Sequence, residues 1–222
     1  MATPTYNSAF ANDTTFGTLT IAGTVNAGAN KILIAGIAFE LNPSGTIPTV
    51  STCTWNGVSA TKVQSLTIAA GTDGCEMWYL LNPAEGAHNL VCQLSSYASV
   101  IGFNAGAEIV NNLQQQGPDA TKTATGTGTA LASGTLTTKS ANSWVADIGV
   151  GTGSTITLTP WVPQTARYDM TSQMRLRGSD KLVAAKGDTT TAWTASSSET
   201  WGVIASAWQQ SSDMGLELGF PF

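Results

Sequence analysis

The chain has 222 residues, of which 10% are charged, 42% hydrophobic and 23 glycine, with a formal net charge of -5. That length suits one β-rich domain, or at most two small ones, and is ample for a core; the apolar content excludes a wholly disordered chain. Nine basic residues against fourteen acids argue against nucleic-acid binding by bulk electrostatics. No apolar run reaches the ~18 residues of a membrane span.

Short apolar stretches separated by Gly, Asn, Pro, Ser and Thr dominate the chain, the pattern of an all-β domain. Met1 to Tyr6 has neither a basic nor an apolar signal-peptide region, so no signal peptide is expected. Residues 1–16 lack periodicity and read as an extended N-terminal arm. Leu19 and Ile21 alternate with threonine, and a turn over 26–30 leads to Ile32–Phe39. That nearly continuous apolar run predicts a strand buried on both faces. Asn56-Gly57 suits the positive φ angles of a type I′ turn and predicts a hairpin pairing 50–55 with 58–67. A second hairpin is expected from 76–81 through Asn82-Pro83-Ala84-Glu85-Gly86 to 90–94, and another strand over 98–109.

Residues 111–130, with three consecutive glutamines and then Thr-Ala-Thr-Gly-Thr-Gly-Thr, read as a flexible surface connection. Trp144, Ala146, Ile148 and Val150 predict a half-buried strand, Ile156 and Leu158 belong to the next, and Trp201 to Trp208 form the last. Residues 211–222 make an apolar tail. No helix of ordinary length is demanded. Ten or more short strands in about 190 residues predict a two-sheet β-sandwich of the jelly-roll type, a single domain over 17–210. No internal repeat is evident.

Candidate chemistry is sparse. Cys53, Cys75 and Cys92 cannot form a complete set of internal disulfides and lie in apolar segments, so buried thiols in a reducing compartment are expected. His88, the single histidine, has no recognisable nucleophile or orienting partner for triad chemistry. Glu76, Glu108, Asp147 and Asp169 are the candidates for a glycosidase pair, but no paired signature accompanies them. Asp169, Asp180 and Asp188 fall in one region without a calcium-loop motif. The Gly126-Thr127-Gly128 and Gly149–Gly153 segments read as turns between strands. No catalytic residue, metal site or cofactor is assigned.

Three features point to binding. Trp161, between Pro160 and Pro163, either forms with Tyr168 a stacking platform for a glycan or caps the core; its hydrophobic payload favours the cap. Arg167, Arg175, Arg177, Lys181 and Lys186 could dock on an acidic surface, with Arg175 and Arg177 the partner-binding candidates. Interspersed acids favour a solvated hairpin instead. Leu216, Leu218, Phe220 and Phe222 in the tail must be covered by their own domain or by a neighbour.

The segments Thr24–Ile37, Thr54–Val63 and Glu76–His88, with Trp201–Ala207, resemble a jelly-roll-type β-sandwich domain recurrent in tailed-phage virion surface proteins. The resemblance spans about residues 17–208. It implies a non-enzymatic structural or adhesive role, as a capsid decoration, cement or head-spike protein, and supplies no catalytic residues. The expected partners are the major capsid protein or another virion protein and sister subunits, with a trimer as the expected homo-oligomer. Neither nucleic acid nor membrane is expected. The expected location is the virion surface, after synthesis in the host cytoplasm. The rival is a carbohydrate-binding module of a fibre or bacterial surface protein, gripping a host glycan through Trp161 and Tyr168.

Overall fold

The computed structural model describes residues 2–14, 17–42, 47–68, 71–96, 98–153, 155–172 and 174–212. They form an all-β sandwich of stacked antiparallel sheets. The strands of the first half are β1 (Thr5–Thr14), β2 (Thr18–Val25), β3 (Ile32–Leu41), β4 (Val50–Trp55), β5 (Val58–Ser59), β6 (Thr61–Ile68), β7 (Asp73–Leu81), β8 (Gly86–Leu94) and β9 (Val100–Asn111). Those of the second half are β10 (Ala120–Ala132), β11 (Leu136–Thr138), β12 (Ser143–Gly151), β13 (Leu158–Pro160), β14 (Thr165–Met170), β15 (Arg175–Val183), β16 (Gly187–Thr189) and β17 (Ala192–Trp208).

Among the described residues the strands form four sheets. A first large sheet runs β1-β9-β3-β7-β6 and a first small sheet β2-β8-β4-β5. A second large sheet runs β10-β17-β12-β15-β14, with β13 on β17, and β11 pairs with β16 in a ribbon. The alternation of each strand decides the layering, because successive side chains face opposite sides. In β3, Leu33, Ala35, Ile37 and Phe39 pack toward the small sheet, against Leu19, Ile21, Trp55, Leu90 and Cys92. Ile32, Ile34 and Ala38 point the other way, onto Trp144, Ile148, Leu176 and Ile204 of the second large sheet. The double burial expected of Ile32–Phe39 is therefore present, and its cause is a sheet on each side.

The second half repeats the order of the first. Numbered by sequence within each half, the five strands of both large sheets lie first-fifth-second-fourth-third. In both halves the strand after the first and the strand before the last pair in a separate, smaller sheet, β2 with β8 and β11 with β16. The tetrapeptide Gly-Thr-Leu-Thr occurs at 17–20 and again at 134–137, leading into β2 and β11. The chain is thus internally repeated at the level of strand order, where the sequence showed no repeat, because the halves otherwise fill matching positions with different side chains.

Several local expectations change for related reasons. The N-terminal arm is β1, an edge strand paired along β9. The expected surface connection at 111–130 is in large part β10, a thirteen-residue strand that pairs with β17 across a register shift between Gly128 and Ala130; alternating Thr and Gly made an edge strand look like a linker. The Asn56-Gly57 turn forms with φ of 50° and 77°, but pairing beyond it stops at Val58–Ser59 and the chain crosses to the large sheet as β6. Residues 82–86 join β7 and β8 in different sheets, so no hairpin forms there. Strand β12 is buried on both faces, not one, since β11 and the chain around Trp193 cover its outer side.

Candidate functional site

The buried acids are held within the layers, each with its own partners. Glu76, on β7, accepts from Trp78 Nε1 at 2.8 Å, from Lys62 Nζ at 2.9 Å and from the Val50 amide at 3.2 Å. Asp147, on the outer face of β12, accepts from Trp193 Nε1 at 2.9 Å, from the Ser179 hydroxyl and more distantly from Gln164. Burial pushes its carboxyl up to about 7 against the pull of these donors. Glu108, on β9, faces the second large sheet beside Asp180 of β15. Burial and the Asp180 charge hold the Glu108 carboxyl well above the usual range. Arg167 binds Asp180 through Nε and through Nη2 at 2.9 Å, and lies over the Tyr6 ring at 4.0 Å. Glu76 and Glu108 thus lie on the first large sheet and Asp147 and Asp169 on the second, each tied to donors of its own. Among the described residues no group of His, Cys, Asp and Glu could hold a metal ion.

The basic candidates point inward. Arg175 is 8% exposed; its Nη1 donates to the Ile156 carbonyl at 2.8 Å and its Nη2 to Asp169 at 2.5 Å. Arg177 donates to the Leu158 carbonyl and lies 3.6 Å from the same Asp169. Both guanidiniums tie the chain at 156–158 to β14 and β15. The fork geometry of arginine suits this, since one side chain reaches a carbonyl and a carboxylate together. Asp180 is taken by Arg167 and Asp188 by the Thr137 hydroxyl at 2.6 Å.

The two aromatic candidates separate. Tyr168 is 9% exposed and sits between the large sheets, so its ring offers no face to a glycan. Trp161 is 50% exposed and Val162 94%, so the indole does not cap the core. Its Nε1 donates to Thr194 Oγ1 at 2.9 Å, and backbone bonds join Trp161 N to the Ala192 carbonyl and Gln164 N to the Trp161 carbonyl. The exposed ring is consequently fixed in orientation. Leu216, Leu218, Phe220 and Phe222 lie outside the described residues.

A surface concavity lies elsewhere, on the outer side of the first small sheet. It is a trough of about 620 Å³. Ala22 and Thr24 of β2 and Ala87, Asn89 and Val91 of β8 face it, and the Asn56-Gly57 turn walls one side. His88 reaches it from the rim, donating through Nε2 to the Glu85 carbonyl at 2.9 Å and meeting Trp55 edge-on at 5.7 Å. Small side chains on adjacent strands make it concave, and no carboxylate lines it. The sequence carried a signal for it in Ala22-Gly23-Thr24 and Ala87-His88-Asn89, but only the pairing of β2 with β8 brings them together.

Among the described residues no helix is long and apolar enough to cross a membrane. Compared with protein-family models, curated proteins and solved structures, the chain matches none.

Proposed function

We propose that the chain is a non-enzymatic structural protein of a tailed-phage virion surface, a decoration, cement or head-spike protein, built as two jelly rolls in tandem. The observation that carries this reading is the strand order. In the first half β1-β9-β3-β7 faces β2-β8-β4-β5, the arrangement of two interlocked Greek keys found in viral capsid and lectin domains. The second half repeats the large sheet of that plan and a reduced small one. The internal use of Glu76, Glu108, Asp147 and Asp180 is in keeping with a body made for rigidity. Attachment is assigned to the trough, where small side chains let a partner's backbone approach closely.

The test uses particles of the phage that encodes the chain, freed of this protein. Purified chain should co-sediment with them, and Ala22→Arg with Ala87→Arg, which fill the trough, should abolish this while leaving the fold intact. Co-sedimentation unchanged by the double substitution would remove the trough, and none with wild type would remove the virion reading.

A second reading, a glycan-binding module, is favoured by one observation, the tethered and half-exposed indole of Trp161. Aromatic faces of this kind stack on sugar rings at low entropic cost. Saturable binding on a glycan array, lost in Trp161→Ala, would establish it.

A further inference from the structure

We infer that Cys53 and Cys92 are a site of reversible oxidation, closing to a disulfide across the first small sheet when the chain meets a low-molecular-weight disulfide such as oxidised glutathione. The inference does not depend on the attachment reading.

Cys53 of β4 stands directly opposite Cys92 of β8 in the register, in a regular stretch flanked by the pairs Thr52↔Gln93 and Thr54↔Val91. The two sulfurs are 3.4 Å apart and share a weak hydrogen bond. Directly opposed residues of antiparallel strands have Cα atoms about 4.5–5.5 Å apart, inside the window that a disulfide spans. Reaching a bond of about 2 Å therefore needs movement of the thiols, not of the strands. Cys75 lies on the far face of β7, packed toward the second large sheet, and cannot compete for either sulfur.

The chemistry balances as a two-step exchange. The thiolate of one cysteine attacks oxidised glutathione, forming a mixed disulfide and releasing one glutathione thiolate. The second cysteine's thiolate attacks the protein sulfur of that bond and releases the other. The two thiol protons end on two glutathione thiols; the cysteine pair loses two electrons and glutathione disulfide gains them. Both thiols are buried, and burial together with the neighbouring thiol raises that of Cys92 well above its usual value. Exchange accordingly proceeds through chain opening, or during folding, and the folded sheet then shields the product. The bond would fasten β4, which pairs in its sheet only with β8 and the two-residue β5, and so fix the Asn56-Gly57 wall of the trough.

The test refolds the full chain from denaturant in glutathione buffers of graded oxidised-to-reduced ratio. Free thiols are then blocked under acid quench and the peptides mapped by mass. The expected result is a Cys53–Cys92 bridge with Cys75 alkylated, half-formed at a ratio at least about ten-fold more reducing than for the chain held in denaturant, because the fold supplies a high effective concentration. Cys75→Ala should give the same midpoint and Cys53→Ser no bridge. A midpoint equal to that of the denatured chain, a bridge through Cys75, or three free thiols throughout would overturn the inference.

Discussion

The ring of Tyr168 occupies the space that a side chain at Gly106 would need: a Cβ on Gly106 would stand 2.3 Å from the tyrosine Cδ2. A Cβ on Gly178 of β15 would stand 2.3 Å from the same ring, and one on Gly36, directly opposite Gly106 across β3 and β9, 2.5 Å from the tyrosine hydroxyl oxygen. One tyrosine of the second half is thus seated on a glycine pair of the first, and the two large sheets approach each other through it. Gly106→Ala should destabilise the protein by about 1–3 kcal/mol through overpacking, read as a lower denaturant midpoint. Gly57→Ala, where a Cβ meets nothing but φ is 77°, should cost about 1 kcal/mol from backbone strain alone.

The Asp147 carboxyl, pushed up to about 7 by burial, makes stability depend on pH. A carboxyl whose folded value is raised binds its proton more tightly than the unfolded chain does. Its contribution is complete below the ordinary carboxylate range and is lost as pH rises to about 7. The loss amounts to roughly 4 kcal/mol at most over that interval. Asp147→Asn should flatten the stability profile between acid and neutral pH; an unchanged slope would contradict the account.

Glu108 acts in the same direction, since burial and the Asp180 charge raise its value too. It faces Asp180 and Arg167, with Trp144 and Tyr6 around them, and above its raised value two buried carboxylates would confront one guanidinium. Glu108→Gln keeps a donor toward Asp180 without the acid. Denaturation midpoints of wild type should fall as pH rises above the ordinary carboxylate range, and those of Glu108→Gln should fall less.

Arg175→Ala should destabilise by about 2 kcal/mol, because the buried Ile156 carbonyl and the more exposed Asp169 both lose a charged donor. Particle binding by the folded fraction should be unchanged, which separates an internal tie from a docking residue.

Trp161→Ala removes a half-exposed ring and one hydrogen bond. Stability should fall by no more than about 1 kcal/mol. Any glycan binding should disappear with the ring, measured by titration of an array-selected glycan.

The legible part of the fold was carried by local pattern. Ile32–Phe39 announced a doubly buried strand and Asn56-Gly57 a tight turn, because run length and positive φ are properties of neighbouring residues. What stayed hidden depends on partners far along the chain. Gly149 read as a turn residue, yet it lies within β12 so that Trp193 can pack against it, 2.8 Å from where its Cβ would be. Arg175 and Arg177 read as surface charge because their acceptors, the carbonyls of Ile156 and Leu158, carry no mark in the sequence. The repeated strand order left few marks in the sequence, such as Gly-Thr-Leu-Thr, since a repeated topology requires repeating which positions face inward and not which residues fill them.

The most direct test of the proposal that the chain belongs to a tailed-phage virion surface is its copy number in purified particles, by quantitative mass spectrometry against the major capsid protein. A virion surface protein predicts a fixed copy number that survives gradient purification and scales with the capsid or with one vertex. Absence from particles, with the chain recovered only from the soluble lysate, would contradict it.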